Sequence, residues 1–285
     1  MTGSVRIALA QITGEPYTVE RNRELTLSAA ADAFARGADL VVLPELIVHG
    51  YVADAARLSP LAEPVQGPTF DAWHELARDS GGYLVGGFCE RAGGALYNTA
   101  IAVGPEGLVL HYRKVHPFAE EKLAFQPGDL GFPIVETRVG RIGICVCYDL
   151  RFVEVVRIMA LRGADLICVP TAWVLGYDEA RWDDDGMCPQ AHGAVLQANL
   201  NQVYIACASQ AGRTDQLEFL GSSVLADPYG MCVLGPLPRA EPEIAIAEID
   251  LGTTTRSQTR TPLIAPRADR RTDVYGLWTA DGDVL

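Results

Sequence analysis

Two places in the chain carry the same short run of residues, and each lies inside a strand–helix–strand segment. Arg36-Gly37-Ala38-Asp39-Leu40 and Arg162-Gly163-Ala164-Asp165-Leu166 are each followed by three apolar residues and a proline. In the first half, residues 5–12 read as a buried strand, 19–35 as a helix rich in Ala and Leu, and 39–43 as a second buried strand. In the second half, residues 141–147 read as a strand, and Phe152, Val155, Val156, Met159 and Ala160 fall at helical spacing. Residues 165–169 then return as a strand. Gly37 and Gly163 stop the two helices, and crossovers of this length join parallel strands. The repeat predicts two similar halves, each a sheet with helices outside. Packed face to face they make a four-layer α-β-β-α sandwich, an α/β fold.

The remaining segments fit this frame. Residues 70–79 read as a helix and 83–88 as a strand, while 98–103 and 108–113 form a hairpin around Gly104-Pro105-Glu106-Gly107. Residues 187–201 read as a helix, and 203–208, 222–226, 231–234 and 243–249 as strands. From Thr253 onward the chain is polar, with five arginines and little periodicity, so 253–285 reads as a docking tail. No linker composition divides the chain, and 1–285 is expected to be one domain.

A net charge of −13 argues against a nucleic-acid partner, because phosphate backbones are held by clustered Lys and Arg. No apolar stretch reaches membrane-spanning length, and the start lacks the layout of a secretory signal. The seven cysteines are odd in number and several sit in apolar runs, as reduced core thiols do, which points to the cytoplasm. No paired CxxC or HExxH spacing is present, so no metal and no organic cofactor is expected.

Three polar residues stand where apolar strands end. Cys147 closes the strand of the second half just before a helix, where amide dipoles favour a thiolate and could hold an oxyanion. Its alternative reading is an inert core thiol. Glu45 follows the apolar strand of the first half, and Lys114 follows residues 108–113. Alone, each reads equally as a solvated charge. Open α/β sheets place their sites at the carboxyl ends of strands, and a thiol, a carboxylate base and a fixed cation are what acyl transfer needs.

Leu43-Pro44-Glu45, Tyr112-Arg113-Lys114-Val115-His116 and Cys147-Tyr148-Asp149-Leu150-Arg151-Phe152 resemble the three signature segments of the nitrilase superfamily of carbon–nitrogen hydrolases. The likeness extends from Ala8-Leu9-Ala10-Gln11 through Pro127-Gly128-Asp129 and Pro170-Thr171-Ala172-Trp173 to Asp269–Tyr275, nearly the whole chain. It implies Glu45 as general base, Cys147 as nucleophile, Lys114 as the oxyanion's partner together with a backbone amide near Tyr148, and a thioester intermediate. It also implies a second glutamate after the lysine, and spacing to Phe125 and Pro127-Gly128 favours Glu121 over Glu120, which is kept as a substrate contact. Two departures are Val153, where relatives commonly have Pro, and the extra thiol Cys145, read as packing or as a disulfide or sulfenate partner of Cys147.

True nitrilases tend to follow the nucleophile with Trp-Glu, so Cys147-Tyr148-Asp149 resembles the amidase and carbamoylase branches. The resemblance thus implies a small amide or N-carbamoyl amine substrate and a homodimer or higher homo-oligomer. The loop 173–187 holds only Arg181 against Asp178, Glu179, Asp183, Asp184 and Asp185, an acidic run able to meet a cationic substrate arm or simply to face solvent. Tyr148, Trp173 and Tyr177 are candidates for the pocket wall. Rival readings are nitrile hydrolysis, acyl transfer to an amine, and a non-catalytic ligand-binding homologue.

Overall fold

The computed structural model describes residues 3–285 except Asp178, Ala180 and Gln216. Its first half runs β1 (Ser4–Gln11), α1 (Val19–Ala35), β2 (Leu40–Val42), α2 (Ala55–Leu58), α3 (Pro68–Ser80), β3 (Tyr83–Ala92), β4 (Ala95–Gly104), β5 (Gly107–Arg113) and α4 (Glu121–Ala124). The second half runs β6 (Ile134–Thr137), β7 (Gly140–Ile144), a 3₁₀ turn over Cys147–Arg151, α5 (Val153–Leu161), β8 (Leu166–Pro170), α6 (Pro189–Asn201) and β9 (Tyr204–Ala208). The chain then adds β10 (Val224–Ala226), β11 (Cys232–Leu234), β12 (Glu243–Asp250) and α7 (Gly252–Gln258).

Two six-stranded sheets result, ordered β12-β1-β2-β3-β4-β5 and β11-β10-β9-β8-β7-β6. Within each, the three inner strands are parallel and the outer ones antiparallel. Alternation in β1 shows how the layers form. Val5, Ile7 and Leu9 point into the core shared with the second sheet, and Ala8 and Ala10 pack under α1 and α3. The small alanines let those helices sit close, and the buried Trp73 of α3 ties them together by donating to Thr26 Oγ1 at 2.9 Å. Helices α5 and α6 cover the outer face of the second sheet through Val155, Val156, Met159, Ala191, Ala194 and Ala198. The four-layer α-β-β-α sandwich expected from the repeat is the fold observed.

The repeated letters do the same job twice. Asp39 Oδ2 accepts from the Arg6 amide at 2.9 Å, and Asp165 Oδ2 accepts from the Arg141 amide at 2.9 Å. Gly37 and Gly163 both hold positive φ, 86° and 92°, and at each a Cβ would collide with the guanidinium of Arg6 or Arg141. Each half therefore clamps its crossover helix to the preceding strand by one carboxylate and one glycine. The strands that follow end side by side, where the Glu45 amide donates to the Thr171 carbonyl at 3.3 Å.

Some boundaries differ from expectation. β7 stops at Ile144, not at Cys147, because the chain leaves the ladder to enter the 3₁₀ turn. β3 runs on to Ala92, paired through Ala92 and Ala95. The tail expected from Thr253 begins with α7, which buries Thr254 and Ser257, so its start belongs to the body. Farther on, the Arg267 guanidinium donates to the carbonyls of Ala160, Asn201 and Gln202. No helix among the described residues is long and apolar enough to cross a membrane.

Candidate active site

Glu45 leaves the end of β2 and is wholly buried; the next residue, Leu46, takes a left-handed φ of 47°. Lys114 leaves the end of β5, its amide donating to the Asn98 carbonyl of β4 at 2.8 Å. Its ammonium is also buried and lies between two carboxylates, 2.6 Å from Glu45 Oε1 and 2.8 Å from Glu121 Oε1. Glu121 opens α4 and is itself buried. Asn98 Nδ2 donates to Glu45 Oε1 at 2.7 Å, Tyr51 donates to Glu121 Oε1 at 2.5 Å, and the Phe118 amide donates to Glu121 Oε2 at 3.2 Å. Glu45 Oε2 has no hydrogen-bond partner among the described residues.

Cys147 begins the 3₁₀ turn with a φ of 46°, a conformation that costs an ordinary side chain about 1 to 3 kcal/mol. It is 8% exposed and faces a small cavity of about 50 Å³, lined also by Phe118, Tyr148, Ala172, Trp173 and Gln190. Burial raises its thiol well above the ordinary range and the Glu45 charge adds to this; Lys114 and an Ala172 backbone hydrogen bond pull the other way. The thiolate favoured by helix-end amides on sequence grounds is thus not the resting form. Burial likewise lifts the Glu45 carboxyl to about 7, with Lys114 opposing and the Glu121 charge reinforcing it. Burial alone would lower the Lys114 ammonium, but the charges of Glu121 and Glu45 raise it and keep it protonated. The arrangement is a protonated thiol, a carboxyl poised near neutrality and a permanent cation.

Of the residues singled out from sequence, Glu45, Lys114, Glu121 and Cys147 converge here, and Tyr148 and Trp173 wall the cavity. Glu120 does not join them. Its side chain is turned outward, accepting from the Tyr177 hydroxyl at 2.6 Å. In the acidic loop, Asp178 lies outside the described residues, Asp183 pairs with His192 at 2.7 Å and Glu179 with Arg181 at 2.9 Å. Cys145 is fully buried in the core between strands. Sequence reasoning missed Asn98 and Tyr51. A lone Asn at a strand start and a Tyr in a loop carry no local signal of such contacts.

Residues 6–258 match the family model described as carbon–nitrogen hydrolase. The chain is 35% identical to a protein named nitrilase from Pyrococcus abyssi over 87% of its length and 90% of the relative's. It is 32% identical to human omega-amidase NIT2 over 96% and 98% of the two chains. Among solved structures it matches a double mutant of an amidase from Nesterenkonia sp. AN1 in complex with acrylamide, with a TM-score of 0.75, 28% identity and 95% of each chain covered. A structure of a point mutant of that amidase shows covalent addition of the acetamide moiety of fluoroacetamide at its active-site cysteine. The chain belongs to the carbon–nitrogen hydrolase family, the nitrilase superfamily.

Proposed function

We propose that this protein hydrolyses a small amide or N-carbamoyl amine through a thioester on Cys147. The observation that carries the reading is the buried Lys114 held between Glu45 and Glu121 beside a strained, cavity-facing cysteine. Glu45, whose Oε2 is unbonded among the described residues, takes the thiol proton as the sulfur attacks the substrate carbonyl carbon. Lys114 offsets the charge that develops on the carbonyl oxygen; its ammonium is fixed in advance by two carboxylates, so little reorganisation is needed. Collapse breaks the C–N bond, and the nitrogen leaves as ammonia or amine with the proton held by Glu45. Water, deprotonated by Glu45, then attacks the thioester carbon; the C–S bond breaks, the acid leaves, and Glu45 returns the proton to the Cys147 sulfur. Glu121, with its contacts from Tyr51, Asn98 and the Phe118 amide, orients Lys114. The aromatic lining and small volume of the cavity suit a short acyl arm.

The test is ammonia release by wild type and Cys147→Ala on aliphatic amides, ω-amides of dicarboxylates, N-carbamoyl amines and matching nitriles. Cys147-dependent release supports the reading and the best substrate selects the branch; release from nitriles alone, or none, overturns it. Because Glu45 must be ionised to act, kcat/KM should fall about tenfold per pH unit below about 7. A profile flat to pH 5.5 would remove Glu45 as the base.

A homo-oligomer in the cytoplasm completes the proposal, with 1–285 one domain and its last segment docking on a second copy. Val153 on α5, Leu196 and Leu200 on α6, and Val274, Tyr275 and Trp278 in the tail expose apolar surface. Light scattering at micromolar concentration should give at least twice the chain mass; a single-chain mass would count against it. The seven unpaired thiols suit a reducing compartment.

A further inference from the structure

Asp149 is wholly buried, yet its side chain touches neither the cavity nor the Lys114 ammonium. Its carboxylate collects four donors from two strand ends. Oδ2 accepts from the Tyr112 hydroxyl at 2.7 Å and the Val146 amide at 3.0 Å. Oδ1 accepts from the His116 amide at 3.0 Å and, with Nδ1 as donor, from the His116 ring at 2.8 Å. Tyr112 and His116 stand two residues either side of Lys114, and Val146 immediately precedes Cys147. The Asp149 amide also donates back to the Val146 carbonyl at 3.0 Å, closing a ring across the left-handed cysteine. The His116 ring lies flat on Phe152, centroids 3.6 Å apart at 12°, which fixes the imidazole.

We propose that Asp149 is a positioning residue that locks the segment bearing Lys114 to the turn bearing Cys147, so that cation and sulfur keep the spacing the tetrahedral intermediate requires. Cys147 occupies a backbone region that persists only when its surroundings over-determine it, and the Val146–Asp149 pair supplies that constraint on the Cys147 side. The four accepted bonds saturate the carboxylate. An amide at this position would turn an NH₂ toward two of the four donors, and a buried, half-satisfied network costs more than an apolar one. Both strand ends would then relax independently. A misplacement of about 1 Å between reacting groups costs on the order of 100-fold in rate. Phe118, Ala172, Trp173 and Gln190 line the cavity from outside the Cys147–Arg151 turn, so substrate binding should change less than turnover.

The inference rests on the hydrolase reading above. Its test is kcat and KM, measured separately on the best amide of the panel, for wild type, Asp149→Asn and Tyr112→Phe, with folding followed by circular dichroism. Asp149→Asn should lose about 100-fold in kcat and Tyr112→Phe about tenfold, with KM held within about threefold in both. Tyr112→Phe keeps the packed ring and removes one bond, so it decides alone if Asp149→Asn does not fold. Wild-type kcat in folded Tyr112→Phe, or a loss confined to KM, would overturn the proposal. A failure of the hydrolase reading is distinct, since wild type itself would then be silent.

Discussion

Cys147→Ala is expected to remove turnover by on the order of 10⁴-fold or more while leaving a folded protein. The rate is lost because, among the described residues, no other cysteine lines the cavity. Cys145 is two residues away but buried in the core, Cys188 is also buried, and the Tyr177 hydroxyl donates to Glu120. Stability should shift by only about 1 kcal/mol, because one sulfur is removed beside an existing cavity and the substituted residue inherits the same left-handed backbone. Burial and the Glu45 charge already disfavour ionisation of that thiol, so no buried charge is stranded by its loss. Ammonia release and a thermal melt on the same sample check both halves. Activity at even a tenth of the wild-type rate would take Cys147 out of the mechanism.

Strand ends leave a trace in sequence, but alone each of Glu45, Lys114 and Cys147 read equally as a solvated charge or an inert thiol. It was the resemblance of their three segments to one family that singled them out. Glu45, Lys114 and Cys147 each follow an apolar run, and the fold brings the ends of β2, β5 and β7 together. The Arg-Gly-Ala-Asp repeat was legible for a different reason. One carboxylate and one glycine per half solve the same packing problem, so the letters recur. Glu121 was harder to separate from Glu120. Adjacent residues in a one-turn helix point about 100° apart, and only the position of Lys114 decides which faces inward. Asn98 and Tyr51 could not be read at all, since their roles come from β4 and a distant loop meeting one carboxylate pair. The edge strand β6 and the short α7 were missed because four residues paired on one side, or seven without an apolar stripe, leave no period to detect.

Lys114→Ala should be costly in two distinguishable ways. Turnover should fall by about 10³-fold, since the buried cation held beside Glu45 is gone. Stability should fall by about 3 to 5 kcal/mol, because two buried carboxylates lose the charge that separates them. The pH dependence identifies the cause. Folding already raises the Glu45 pKa from 4.5 to about 7, so its protonated form is the one the fold favours; that contribution is full below 4.5 and is lost as pH rises through about 7. Lys114 lowers this value in the wild type, and without it the folded-state pKa climbs further. Below about pH 7 Glu45 is protonated in both proteins, and the stability gap reflects only lost contacts. Above it the wild type ionises Glu45 beside its cation whereas the variant cannot, so the gap should widen by about 1.4 kcal/mol per pH unit. Denaturant melts of both proteins at pH 6 and pH 8 measure this directly. Adding Glu121→Gln to Lys114→Ala should recover part of the stability and none of the activity, because it removes one stranded carboxylate without restoring a cation. A gap of equal size at both pH values would mean that Glu45 does not titrate beside Lys114 between pH 6 and pH 8, and the role of Glu45 as a base poised near neutrality would fall.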